Sequence, residues 1–246
     1  MQLEGSTVLV TGANGDIGQY YIRALRDANV GKIYAAARKI ASLDDIVAAD
    51  PDRTIPIELD ITDENSIASA AEQCLDTTLL INNAGIGLMK SFISADDISS
   101  ARAEMEVNYL GTLSMCRAFA PVLKRNGGGA ILNMLSILGK VNFPMNASYS
   151  ASKAAEISMT QGIRTELANQ GTLVVGVMPG TVDTKGSEHW PEPKVSPEVV
   201  VQDALQAVIE GREDVYPGEQ AKEMIEQIRK DPKVLEKEIA KMVENA

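Results

Sequence analysis

Short apolar runs alternate with longer amphipathic stretches from one end of this chain to the other, and that alternation leaves few folds open. A short run without a polar residue at every second place cannot border water on one side. It reads as a strand buried on both faces. Such runs fall at 7–11, 32–37, 54–59, 78–82, 129–134 and 172–178, with a shorter one at 214–216. Segments with helical patterning fill the gaps, the longest at 98–124 and 148–168. Strand, helix and strand repeated in this way build a parallel sheet with helices on both faces. The expectation is a doubly wound, seven-stranded parallel sheet in a three-layer α/β/α arrangement. A length of 246 residues is enough for one domain, 1–246, with a real core.

Charge and composition narrow the partners. Asp and Glu number 34 against 23 Lys and Arg, so a net charge of −11 gives the surface as a whole no hold on nucleic acid or an anionic membrane. No run reaches the ~18 apolar residues needed to cross a bilayer. The N-terminal Met1-Gln2-Leu3-Glu4-Gly5-Ser6 lacks a basic region followed by a long apolar stretch, and a cytoplasmic location is expected. Cys74 and Cys116 lie in apolar segments and are expected to be buried, unreactive thiols. The sole histidine, His189, has no partner His or Cys for a metal and argues against a Ser-His-Asp site.

In an open parallel sheet, ligands collect at the carboxyl ends of the strands. After the first strand comes Thr11-Gly12-Ala13-Asn14-Gly15-Asp16-Ile17-Gly18, opening a helix read as 17–28. Glycines there let the backbone turn sharply and approach a pyrophosphate set against the helix N-terminus. After the second strand stand Ala37 and Arg38. A carboxylate at that place would hold the ribose hydroxyls of NAD, whereas an Arg pairs with a 2′-phosphate, so NADP(H) is expected over NAD(H). Asp60 with Ile61 follows the third strand, placed for an adenine amino group, and Asn83-Ala84-Gly85 follows the fourth, small enough for close backbone approach to a ribose.

The fifth strand ends at Ser136, thirteen residues before Tyr149, and Lys153 follows one helical turn later. Tyr149 and Lys153 at i and i+4 share a helix face, so the ammonium favours the phenolate form. Free tyrosine titrates near ~10, too high for acid chemistry at neutral pH without such help. A serine hydroxyl that donates to an oxygen gaining charge, beside a phenol that delivers a proton, fits carbonyl reduction or its reverse.

Taken together and in this order, the glycine loop at 12–18, Leu59-Asp60, Asn82-Asn83-Ala84-Gly85, Asn108, Ser136, Tyr149 with Lys153, and Pro179-Gly180-Thr181-Val182-Asp183-Thr184 resemble the short-chain dehydrogenase/reductase family in its compact branch. The resemblance covers nearly the whole chain. It implies that Ser136 orients the carbonyl, Tyr149 is the acid or base, Lys153 lowers its pKa and grips the nicotinamide ribose, and Asn108 holds a water in a proton relay. It also implies that Pro179, Gly180, Val182 and Thr184 cover the nicotinamide, and that the two long helices pair subunits into a homodimer or homotetramer. Two departures stand out. Position 16 is Asp, with the glycine moved to Gly15, so Asp16 is expected to point away from the phosphates or to cap the helix. Leu135 stands where the family often has another serine.

By the same resemblance, the substrate side includes Met89, Ile137, Leu138, Met145, Asn146 and Trp190, most of them apolar, and a small-molecule carbonyl or alcohol substrate without charge, bulky ones included, is expected. A short covering segment at about 184–198 and a charged helical tail at about 219–246 complete the domain. On that tail Leu235, Ile239 and Met242 form a stripe expected to dock on the same subunit. The glycine spacing also admits a nucleotide-sugar epimerase or dehydratase, though the stretch after Thr184 is short for one, and a cofactor-sensing partner protein without turnover is a third reading.

Overall fold

The computed structural model describes residues 1–190 and 193–244 and contains one parallel sheet in the order β3-β2-β1-β4-β5-β6-β7. The strands are β1 (Thr7–Thr11), β2 (Lys32–Ala37), β3 (Thr54–Glu58), β4 (Leu79–Asn82), β5 (Ala130–Met134), β6 (Leu173–Val177) and β7 (Asp214–Val215). The helices are α1 (Asp16–Asp27), α2 (Asp44–Ala48), α3 (Glu64–Gln73), α4 (Ser99–Glu104), α5 (Thr112–Arg125), α6 (Ala147–Leu167), α7 (Pro197–Glu210), α8 (Glu219–Lys230) and α9 (Pro232–Glu244). The chain starts at the centre with β1, works outward through β2 to β3, then returns to β4 and works outward the other way. Strand order therefore reverses between β1 and β4, where a crevice opens at the carboxyl ends.

Both faces of the sheet are covered, which explains the unbroken apolar runs. Val8, Val10, Ile33, Leu79, Ile81, Leu132 and Val175 pack against Tyr21, Ile22 and Leu25 of α1 and Val200, Val201 and Leu205 of α7. Their neighbours in sequence point the other way, and Leu9, Leu80, Ile131 and Val174 pack on Ile67 of α3, Phe119, Val122 and Leu123 of α5 and Ile163 of α6. Cutting one of these back, Leu80→Ala for instance, costs about 2–5 kcal/mol. Cys74 and Cys116 lie in the second layer as free, buried thiols, and burial pushes both up to about 12.

The stretch read as one helix at 98–124 is interrupted by a π-helical turn at Met105–Gly111. Two tertiary demands coincide there. Gly111 packs so closely on the next layer that a Cβ would lie 2.9 Å from the Ile61 carbonyl oxygen. Asn108 must reach the loop after β4. A turn with one extra residue meets both, as π-bulges at functional sites do. The tail docks on its own subunit as expected: Leu235 and Ile239 of α9 are buried, and α9 packs on α8 and on the turn at Pro144–Asn146. The side chain of Met242 lies outside the described residues. Among these residues, no helix is long and apolar enough to cross a membrane.

Candidate active site

The crevice at the reversal point holds about 420 Å³ and is lined by Gly12, Asn14, Gly15, Asp16, Ile17, Arg38, Asp60, Ile61, Asn83, Ala84, Gly85 and Thr184. Thr11, Ala37, Leu59, Thr62, Ile86 and Val107 complete the lining. Gly12 has φ +63°, and a Cβ there would meet Ala84 Cα at 3.0 Å, so the loop after β1 and the loop after β4 touch through backbone. Gly18 lies under the loop, not in the crevice lining; a side chain would collide with the Gly12 carbonyl oxygen. Gly15 caps α1 without any side-chain hydrogen bond, leaving the first-turn N–H groups clear of a side-chain cap. A backbone cradle of this kind at the positive end of a helix fits a dinucleotide pyrophosphate.

Hydrogen bonds hold the two walls together. The Thr11 hydroxyl accepts from the N–H groups of Asn83 (2.9 Å) and Ala84 (3.0 Å), while Asn83 Nδ2 donates to the carbonyls of Thr11 (3.0 Å) and Gly12 (3.2 Å). Asp60 Oδ1 accepts from the Thr62 N–H (2.9 Å) and hydroxyl (2.7 Å), and these bonds, with a smaller contribution from Arg38, hold the carboxyl below its ordinary range. Asp16 does not cap α1. Its Oδ2 accepts the Lys185 N–H at 2.8 Å, tying the first residue of the helix to the segment after Thr184.

The end of β5 and the first turns of α6 bring the reactive groups together beside this crevice. Ser136 is buried, its hydroxyl accepts from the Leu138 N–H (3.2 Å), and it lies near enough to the Tyr149 phenol to pull its pKa down. Lys153 Nζ lies 5.8 Å from the centre of the Tyr149 ring and donates to the Met134 carbonyl at 2.8 Å. Two glycines adjoin the pair: a Cβ on Gly85, which lines the crevice, would lie 3.7 Å from Lys153 Nζ, and one on Gly87 would lie 3.3 Å from the Tyr149 ring.

The surroundings of Asn108 and Tyr149 add detail to the cluster. The Asn108 amide bonds to protein at both ends: Oδ1 accepts the Ile86 N–H (2.8 Å), and Nδ2 donates to the Ile86 carbonyl (2.8 Å) and the Ser152 hydroxyl (2.9 Å). Its side chain pins the loop after β4 to α6. The Tyr149 phenol is held above the ordinary tyrosine value, with burial the largest cause. Lys153 and Ser136 pull it down, while Glu156 and Glu104 push it up.

The substrate side is less uniform. Ile137 is buried and packs with Ala221 and Ile225 of α8, so it belongs to the core and not to a pocket wall. Leu138 is half-buried, Met145 is 42% exposed, and buried Asn146 keeps an Oδ1 without a hydrogen-bond partner among the described residues. Met89 takes φ +55°, a left-handed conformation uncommon for a long side chain. Trp190 meets Phe143 edge to face at 5.4 Å, joining the covering segment to the stretch before α6; Phe143 carried no signal in the sequence beyond its proximity to Tyr149. The neck of that segment is closed by a bridge between Val182 and Val195, with the Val195 N–H donating to the Thr181 carbonyl and the Asp183 N–H to the Val195 carbonyl, both at 2.8 Å. Pro179 accepts from the Ile137 N–H (3.0 Å), and Gly180 packs on Gln220, whose Oε1 takes the Thr181 N–H at 2.7 Å. These residues and Val182 support the neck, and of the group only Thr184 lines the crevice. Pro191, within the covering segment, lies outside the described residues.

Known proteins resemble this chain in sequence and in fold. The model of a family described as short chain dehydrogenase matches residues 6–194. A short chain dehydrogenase from Burkholderia cenocepacia, solved in complex with NADP, is 45% identical and superposes with a TM-score of 0.92 over 97% of this chain and 99% of that one. Among curated relatives, the ketoacyl reductase HetN from Nostoc sp. is 32% identical over 75% of this chain and 66% of its own length. An NADP-dependent 3-hydroxy acid dehydrogenase from Schizosaccharomyces pombe is 29% identical over 76% of this chain and 75% of its own length.

Proposed function

Because the chain belongs to the short-chain dehydrogenase/reductase family, we propose that it is an NADPH-dependent reductase of neutral ketones and aldehydes that also runs in reverse on the alcohols. The observation that carries this reading is the gathering of Ser136, Tyr149 and Lys153 against Gly85 at the edge of a crevice built for a dinucleotide. Gly12, Asn14, Gly15 and Ile17 would cradle the pyrophosphate, Arg38 would pair with a 2′-phosphate, and Asp60 with Ile61 would border the adenine. The bound cofactor supplies the hydride. Tyr149 gives its phenolic proton to the carbonyl oxygen, and Ser136 donates a hydrogen bond to the same oxygen as its charge grows. Lys153 stabilises the phenolate left behind. A carbonyl thus gains one hydride and one proton and leaves as an alcohol.

The apolar character of Leu138, Met145, Trp190 and Phe143 favours an uncharged substrate. A single domain, a cytoplasmic location, and pairing of subunits through α4, α5 and α6 belong to the same reading. The test follows NADPH absorbance over a panel of neutral ketones and aldehydes with the native protein and with Tyr149→Phe. Consumption by the native protein that falls about 10²–10⁴-fold in the variant, with NADPH binding intact, is the expected result. Equal turnover by both would end the proposal, and so would tight NADPH binding with no consumption across the panel.

A further inference from the structure

Lys153 shares its burial with a carboxylate to which the proposed reaction assigns no step. Glu156 stands one turn along α6 and is 1% exposed. Its Oε2 lies 2.6 Å from Lys153 Nζ, and its Oε1 accepts from the Thr112 hydroxyl on α5 at 3.3 Å. A buried carboxylate is costly unless paired, and two charges at this distance, away from water, interact strongly. We infer that Glu156 is a positioning residue that draws on the Lys153 charge and thereby keeps Tyr149 in its protonated, proton-donating form.

The argument is one of geometry and sign. The Lys153 head has three donors. One goes to the Met134 carbonyl, and the Glu156 carboxylate lies against the head as an ion pair, so the ammonium is held from two sides before it can serve the phenol. A lone ammonium beside Tyr149 would favour the phenolate; an ammonium paired with a carboxylate presents close to no net charge and favours it far less. Burial works against the Lys153 charge, but Glu156 and Tyr149 more than offset it, and the ammonium stays above its usual value. Burial also pushes the Glu156 carboxyl up, with Lys153 and Thr112 pulling against it. The charged or titratable groups facing this cluster are Lys153 and Glu156 from α6 itself, Glu104 from α4, and the Cys116 thiol from α5. Glu104 adds to the effect of Glu156 on the phenol. Its Oε1 is held by the Leu88 N–H at 2.7 Å, so it is fixed in place while Glu156 is varied.

This inference rests on the reading of Tyr149 as the proton donor, but its test needs no turnover. Phenolate absorbance is titrated in the native protein and in Glu156→Gln, each against its own Tyr149→Phe background, so that the difference reports Tyr149 alone. In Glu156→Gln the midpoint is expected to fall by about one pH unit or more, which is about tenfold more phenolate at any pH well below it. Glu156→Leu, which removes the charge without leaving a polar group, guards against a fold defect in the first variant and is expected to move the same way. The sign carries over to turnover. Reduction needs the protonated phenol and oxidation the phenolate, so both limbs of the pH–rate profile should shift to lower pH. A midpoint that stays put or rises in both variants overturns the inference. Normal turnover by Tyr149→Phe, by contrast, would strike the functional proposal and leave the titration result standing.

Discussion

The two halves of the site are built by different means. The dinucleotide half is made where strands stop: the loops after β1 and β4 touch through Gly12 and Ala84, the Thr11 hydroxyl ties them, and Asn83 returns two hydrogen bonds. Nearly every contact there involves backbone or a short side chain within reach of one. The substrate half is made of excursions, the stretch 137–146, the loop near Met89 and the segment after Thr184, joined by an aromatic contact between Trp190 and Phe143 and by a backbone bridge at Val182. A shape held by strand ends tolerates little change. A shape held by side chains on loops can be reset by one substitution, which is how a single scaffold serves many substrates.

The contrast can be broken at its most polar point. Arg38 lines the dinucleotide crevice and is the cation expected to meet a 2′-phosphate. Arg38→Asp removes charge-assisted hydrogen bonds of about 1.5–3 kcal/mol and adds repulsion. The ratio of kcat/KM for NADPH over that for NADH should fall about 10²–10³-fold, measured with one carbonyl substrate and both cofactors. An unchanged ratio would mean that the phosphate is held elsewhere and that the dinucleotide half is more adaptable than its backbone suggests. A smaller effect, on the other side, is expected from Trp190→Ala. Loss of the edge-to-face pair, worth about 0.5–1.5 kcal/mol, along with the wall it supports, should raise KM for a ketone about tenfold and leave NADPH binding within about twofold. Loss of NADPH affinity instead would show that the covering segment serves the cofactor first.

The same contrast explains what could be read from residues alone. The sheet, its order of elements and the crevice residues Gly12, Gly15, Arg38 and Asn83 follow from local pattern, because strands buried on both faces and glycine turns leave marks in sequence. So do Ser136, Tyr149 and Lys153. Contacts made by tertiary fit left no such mark. Ile137 reads as a pocket residue by its place after Ser136, yet α8 covers it with Ala221 and Ile225. The π-helical turn that aims the Asn108 amide at Ile86 is another product of tertiary packing. Glu156 sits at i+3 from Lys153, a spacing common on any helix surface, and only the packing of α5 over α6 makes it a buried partner.

Asp16 tests whether the two halves are independent at all. It is the first residue of α1 and lines the dinucleotide crevice, but its carboxylate holds the N–H of Lys185, next to Thr184, which lines the same crevice from the other side. Two effects oppose each other when a pyrophosphate enters. A carboxylate ~4 Å from a phosphate is repelled by up to about 4 kcal/mol at an effective dielectric near 20. Against that, the hydrogen bond to Lys185, worth about 0.5–1.5 kcal/mol and somewhat more to a charged acceptor, keeps Thr184 in place. The repulsion is the larger quantity even after screening at this exposed rim. Asp16→Gly should therefore leave NADPH affinity unchanged or tighten it by up to about tenfold, as read by fluorescence titration, while KM for the carbonyl rises slightly as the covering segment loosens. Should the variant bind NADPH ten times more weakly, the Lys185 tie would be the stronger influence, and the dinucleotide half would depend for its shape on the very loop that otherwise belongs to the substrate.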